Sequence, residues 1–148
     1  MNGPRDSILI VEDDEHDAMF IQRAFAKAGV SSPMRWVRNG EEAVAYLRAD
    51  GAFADRKKNP FPRVVITDLK MPQMDGIQLL RWIHENPKYR VVPTIVFTSS
   101  TAQSDVNAAF ECGAGAYIVK PVDVRELIRM AKVIGDYWQL SLLPENPA

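Results

Sequence analysis

Four short runs along the chain are almost wholly apolar: Ile8 to Val11, Val64 to Ile66, Thr94 to Phe97, and Ala116 to Val119. Each is rich in β-branched or aromatic residues, which predicts strands buried on both faces. A fifth stretch, Met34-Arg35-Trp36-Val37-Arg38, alternates instead and predicts an edge strand with one face partly exposed. Between these runs, apolar residues recur at helical spacing. The sets are Phe20, Ile21, Ala24, Phe25 and Ala28; Ala43, Val44 and Leu47; Ile77, Leu80 and Ile83; Val106, Ala109 and Phe110; and Leu127, Ile128, Ala131, Ile134 and Trp138.

The predicted order is therefore (βα)5. Strands that alternate with helices need crossover connections, which give a parallel sheet covered by helices on both faces. The expected fold is an α/β doubly wound, flavodoxin-like sheet with strand order 2-1-3-4-5. In such sheets ligands bind beyond the carboxyl ends of the strands, where the strand order reverses.

Two stretches exceed a minimal five-repeat unit. Residues 49–62 carry Gly, Pro and charges, and predict an extended surface loop. After the last helix, residues 141–148 form a tail too short for an output domain. The 148 residues suit a single domain with its core at about 6–140 and a short arm at 1–5. A formal net charge of −1 with mixed signs offers no basic field for nucleic acid or an anionic membrane surface. No apolar run resembles a signal peptide or approaches the ~18 residues of a spanning helix, so the expected compartment is the cytoplasm. The single cysteine, Cys112, reads as a small buried thiol.

Polar residues gather where the predicted strands end. The first strand runs into Glu12-Asp13-Asp14, the third into Asp68, the fourth into Thr98-Ser99, and the fifth into Lys120-Pro121. In a parallel sheet these sets meet at one edge. At ~4 Å and an effective dielectric of ~20, each pair of like charges costs on the order of 4 kcal/mol, so clustered carboxylates need compensation. Mg²⁺ supplies it as a hard cation that takes oxygen ligands and bridges carboxylate to phosphate. Lys120 adds a second positive charge.

Phosphoryl transfer gives each residue type a role. A carboxylate such as Asp68 can act as the nucleophile, while a cation and an ammonium group neutralise the transferring oxygens. The Thr98 hydroxyl offers a donor to a phosphate oxygen. Blander roles stand beside these. Asp14 and Asp17 suit helix capping or solvation as well as chemistry, Lys120 suits a solvated turn, and Thr98 suits a strand residue satisfying a nearby backbone group. His16 and His84 fall in helical patterns and predict surface positions.

Together, Ile8-Leu9-Ile10-Val11-Glu12-Asp13-Asp14, Asp68-Leu69-Lys70-Met71-Pro72-Gln73-Met74-Asp75-Gly76, Phe97-Thr98-Ser99-Ser100 and Gly113-Ala114-Gly115-Ala116-Tyr117-Ile118-Val119-Lys120-Pro121 resemble the receiver domains of two-component signalling. The resemblance covers nearly the whole chain. It implies a stand-alone response regulator in which Asp68 accepts a phosphoryl group from a sensor histidine kinase with Mg²⁺. Asp13, Glu12 and Asp68 would ligate the ion with the backbone carbonyl of Lys70, and Asp14 lies one position beyond the acidic pair. Thr98, with Ser99 beside it, would be the switch hydroxyl, Lys120 the phosphate-pairing cation, and Tyr117 the coupled aromatic switch. The Lys120–Pro121 peptide would be cis, as is common in that family. Output would be a changed surface on the fourth helix, fifth strand and fifth helix, read by an unidentified downstream protein.

The long loop and the aromatic last helix are similar to the small single-domain regulators paired with phytochrome kinases. Trp138, Leu142 and Leu143 either close the core or form a partner or homodimer surface, the dimer using the output face or the tail. Among rival readings, an aspartate-nucleophile phosphatase of the haloacid dehalogenase class usually carries a second Asp two positions after the nucleophile; here that position is Lys70. An unphosphorylated interaction scaffold has no need of the full charge set. A flavin site would be repelled by Glu12-Asp13-Asp14-Glu15. The expectation is thus a phosphoacceptor that is not an enzyme beyond self-phosphotransfer and autodephosphorylation.

Overall fold

The computed structural model describes residues 7–140. Five parallel strands, β1 (Ser7–Val11), β2 (Met34–Val37), β3 (Pro62–Thr67), β4 (Thr94–Thr98) and β5 (Ala116–Val119), form one sheet in the order β2-β1-β3-β4-β5. They alternate with α1 (Glu15–Lys27), α2 (Gly40–Arg48), α3 (Gly76–Glu85), α4 (Gln103–Glu111) and α5 (Val124–Leu140). This is the expected doubly wound arrangement.

The period-two geometry of β1 divides the core. Leu9 and Val11 point to one face and pack with Ala43, Tyr46 and Leu47 of α2 and Leu79 and Ile83 of α3. Ile8 and Ile10 point to the other and meet Ile21 and Phe25 of α1 and Leu127, Ala131 and Ile134 of α5. All five β1 residues are buried. With β3 on one side and β2 on the other, β1 sits inside the sheet, so an apolar run without alternation is what its surroundings require.

The last apolar run departs from expectation. β5 pairs only with β4, and its residues are half-buried, with Val119 exposed; it is an edge strand rather than one buried on both faces. Phe20 and Phe110, placed among the core-facing residues of α1 and α4 by their spacing, are also about half exposed. α4 buries Ala109 alone. Cys112 is buried as expected, with an Arg81 guanidinium nitrogen 3.8 Å from its sulfur.

The 49–62 segment is more ordered than a simple surface loop. Gly51–Phe53 forms a 3-10 turn. The Arg56 guanidinium then donates to the carbonyls of Tyr46 (2.9 Å), Leu47 (2.6 Å) and Asn59 (3.2 Å). These satisfy carbonyls at the end of α2, where no further helical N–H exists to do so. The Tyr46 hydroxyl donates to the Pro60 carbonyl, and Phe61 is buried in the α2/α3 core. Asp55, Lys57 and Lys58 remain exposed, as predicted. The 1–5 arm and the 141–148 tail, with Leu142 and Leu143, lie outside the described residues. Trp138 packs partly buried against the α1/α5 core, and the Arg63 guanidinium donates to its backbone carbonyl.

Candidate functional site

The register of the sheet brings the polar strand ends together. The Asp68 N–H donates to the Val11 carbonyl and the Glu12 N–H to the Val37 carbonyl, so both acids leave the sheet at the same edge. The Lys120 N–H donates to the Thr98 carbonyl and fixes the lysine at that edge too. Oxygens of Glu12, Asp13 and Asp68 lie within 4.8 Å of one another. Their positions come from β1 and β3, neighbours in space that are separated by some fifty residues of chain.

Lys120 occupies the centre of this cluster. Its Nζ donates to Glu12 Oε1 at 2.8 Å, Asp17 Oδ2 at 2.8 Å and Asp68 Oδ2 at 3.0 Å. Asp68 Oδ1 accepts the Leu69 N–H at 2.6 Å, which fixes the carboxylate plane. Burial pushes the Glu12 carboxyl from 4.5 up to about 7, aided by the Asp68 charge and opposed by Lys120 and the Asp14 N–H. Burial alone would lower Lys120, but its hydrogen bonds to Asp17, Glu12 and Asp68 override it and hold the ammonium above its ordinary value. A lysine this firmly charged marks a site built around concentrated negative charge.

The donor set suits a divalent cation. Three carboxylates present only hard oxygen ligands, two of them on side chains that are 2% and 11% exposed. Buried carboxylates of this kind are stabilised by an added cation, and burial holds the Glu12 carboxyl above its ordinary value despite the Lys120 contact.

The remaining predicted residues divide. Asp14 is exposed and caps α1: its side chain accepts the Asp17 N–H at 3.1 Å, while its own N–H donates to Glu12 Oε2. Thr98 is buried, and its hydroxyl oxygen accepts the Ser100 N–H at 3.4 Å. The Tyr117 hydroxyl donates to the Ser100 carbonyl at 3.0 Å, which ties β5 to the β4–α4 turn. Ser100 Oγ in turn donates to Asp105 Oδ2, and the exposed Lys70 ammonium lies 3.8 Å from the same oxygen. Ser99, His16 and His84 are exposed.

The Lys120–Pro121 peptide is trans, correcting the expected cis form; no cis peptide occurs among the described residues. An X–Pro bond still favours trans by roughly 0.5–1 kcal/mol. Here the lysine reaches all three carboxylates from a trans peptide, so inward aim requires no isomer change.

Three contributors were not apparent from sequence. Trp36 donates from Nε1 to the Glu12 carbonyl at 2.7 Å. Its position in an alternating edge strand was the available signal, but the partner lies on another strand. Gly76 begins α3 against the Asp68 peptide, and a Cβ there would stand 2.2 Å from the Asp68 carbonyl oxygen. Asp17 reads equally well as a solvated helix residue until the fold carries Lys120 to it.

Comparison with known proteins agrees with this geometry. The family model described as response regulator receiver domain matches residues 8–132. The probable methanogenesis regulatory protein FilR2 of Methanothrix harundinacea is 34% identical over 131 residues, covering 88% of this chain and 82% of its own. Response regulator Rcp1 of Synechocystis is 28% identical over 137 residues, covering 93% and 91%. Its Mn²⁺-bound crystal structure superposes with a TM-score of 0.82, covering 95% of this chain and 99% of that one. The phosphorylated cyanobacterial phytochrome response regulator RcpA gives a TM-score of 0.85 at 30% identity, covering 95% and 99%. Receiver domains act through phosphorylation of an aspartate and bind a divalent metal at their acidic pocket. The chain belongs to the family of response-regulator receiver domains and is homologous to the phytochrome-associated regulators.

Proposed function

We propose that Asp68 is the phosphoacceptor of this receiver domain. The observation that carries this reading is the bonding of Lys120 Nζ to both Asp68 and the buried Glu12, beside Asp13. A carboxylate oxygen of Asp68 attacks the phosphorus of a kinase phosphohistidine; the new O–P bond forms as the P–N bond breaks, and the imidazole leaves with the N–P electron pair. Mg²⁺, when bound by Glu12, Asp13, Asp68 and the Lys70 carbonyl, supplies the charge neutralisation that this transfer needs. Lys120 pairs with a phosphoryl oxygen, and Thr98 donates its hydroxyl to another, with Ser99 beside it. Tyr117, already bonded to the Ser100 carbonyl, follows Thr98 and transmits the change to α4, β5 and α5. Water returns Asp68 to its free carboxylate by autodephosphorylation.

The partner is a sensor histidine kinase in the cytoplasm, and the likeness to RcpA supports a phytochrome kinase. Beside Lys120 a cleft of about 220 Å³ is lined by Asp17, Phe20, Pro121, Val122 and Val124. Phe20, Val122 and Val124 are exposed large apolar residues at a polar site, as a docking face requires. On the output side, Phe110, Val119, Val133 and Tyr137 expose apolar surface for a downstream protein or a second copy of the chain. No described helix is long and apolar enough to cross a membrane. Phosphotransfer profiling against phosphorylated histidine kinases tests the reading: rapid label transfer that is absent in Asp68→Asn supports it, and undiminished labelling of Asp68→Asn overturns it.

A further inference from the structure

We propose that Asp17 is a resident competitor for Lys120, a positioning residue that occupies the lysine's third donor until a phosphoryl group arrives. This rests on the reading of Asp68 as the acceptor. An ammonium group has three N–H donors. In this structure all three are in use, on Glu12, Asp17 and Asp68. Phosphorylation turns the Asp68 carboxylate into an acyl phosphate, so one phosphoryl oxygen takes over the donor that Asp68 held; a second can bond Lys120 only if another carboxylate gives way.

The three partners are unequal. Side-chain exposure is 2% for Glu12, 11% for Asp68 and 42% for Asp17. Glu12 is closed to water, so releasing it would leave a buried acceptor that only a bound cation could satisfy, which is costly. Asp17 exchanges the lysine for solvent at little cost, so it is the partner that yields. Its location is fixed independently: Asp14 caps the first turn of α1 by accepting the Asp17 N–H, which holds the Asp17 carboxylate opposite β5. Asp17 also lines the apolar cleft beside the site, within reach of whatever docks there. The contact thus sets a threshold: it holds Lys120 in place in the resting state and weakens the hold of the pocket on an incoming phosphoryl group.

The test is equilibrium binding of beryllofluoride, a phosphoryl mimic, to the full chain at saturating Mg²⁺, followed by fluorine NMR. Asp17→Ala, with Asp17→Ser in parallel, frees one donor. It is expected to tighten binding about threefold to tenfold, the scale of one partly exposed charge-assisted hydrogen bond. Glu15→Gln removes a negative charge from the same turn of α1 and controls for general electrostatics; it is expected to stay within about twofold of the wild type. A loss of structure cannot mimic this result, because the predicted change is a gain. Unchanged or weaker binding in both Asp17 variants, or equal tightening in Glu15→Gln, overturns the inference while leaving Asp68 as acceptor. A wild-type chain that binds no beryllofluoride overturns the acceptor reading itself, and this inference with it.

Discussion

The Trp36 indole donates from Nε1 to the backbone carbonyl of Glu12 at 2.7 Å, so the edge strand holds the peptide that carries the most buried acid of the pocket. The Arg38 guanidinium lies 4.4 Å above the Trp36 ring and restricts it from the solvent side. Trp36→Phe keeps an aromatic ring and removes the donor. It is expected to lower stability by about 1 kcal/mol and to weaken Mg²⁺ binding by about twofold to fivefold, as read by denaturant unfolding and metal titration. Unaltered Mg²⁺ affinity would show that the indole does not position Glu12.

Gly76→Ala tests the close approach behind the nucleophile. The added methyl would stand 2.2 Å from the Asp68 carbonyl and 2.8 Å from the Leu69 α-carbon, both backbone atoms that cannot rotate away. Either α3 or the Asp68 peptide must shift. A stability loss of about 2 kcal/mol or more is expected in thermal unfolding, with phosphorylation by acetyl phosphate slowed at least about tenfold. A variant as stable and as fast as the wild type would contradict the packing described.

Glu12 gives the metal-free protein a defined pH dependence. Its folded value of about 7 lies above the ordinary 4.5, so between these values the folded chain keeps a proton that the unfolded chain has released. Stability contributed by that proton is full below about 4.5 and is lost as pH rises through 7, an effect on the order of 3 kcal/mol. Urea unfolding at several pH values should show the decline in the metal-free wild type and a flatter profile in Glu12→Gln or with saturating Mg²⁺. Identical slopes in all three would contradict the burial assigned to this carboxyl.

Arg56→Met separates the loop from the chemistry. The side chain caps carbonyls of Tyr46 and Leu47 far from Asp68 in the sheet, at the opposite end of α2 from the site. Loss of those bonds should cost about 1–3 kcal/mol in thermal unfolding and leave the phosphorylation rate unchanged. A slowed rate at full Mg²⁺ would connect the loop to the site by a route the structure does not contain.

The elements legible in the sequence were those whose burial is uniform along them. β1 and β3 lie inside the sheet, and their unbroken apolar runs say so. β5 carries the same kind of run but pairs on one side only, and no local pattern in Ala116 to Val119 distinguishes the two situations. Phe20 misleads for a related reason: it fits the helical period of α1, yet stands beside the site, where an apolar surface is left uncovered. Glu12, Asp13, Asp68 and Lys120 were visible because strand ends are visible. The contacts of Asp17 and Trp36 were not, because each acts through a partner on a different element that only the packed sheet brings within 3 Å. The trans Lys120–Pro121 bond shows the limit of carrying a habit of the family to a single position.

On the proposed reading Asp68 alone carries the phosphoryl group. Intact-protein mass spectrometry of the wild type and Asp68→Asn, after incubation with acetyl phosphate and Mg²⁺, tests it most directly. A single phosphoryl group is expected on the wild type, lost on mild alkaline treatment as an acyl phosphate is, and none on Asp68→Asn. Equal phosphorylation of both chains would contradict it.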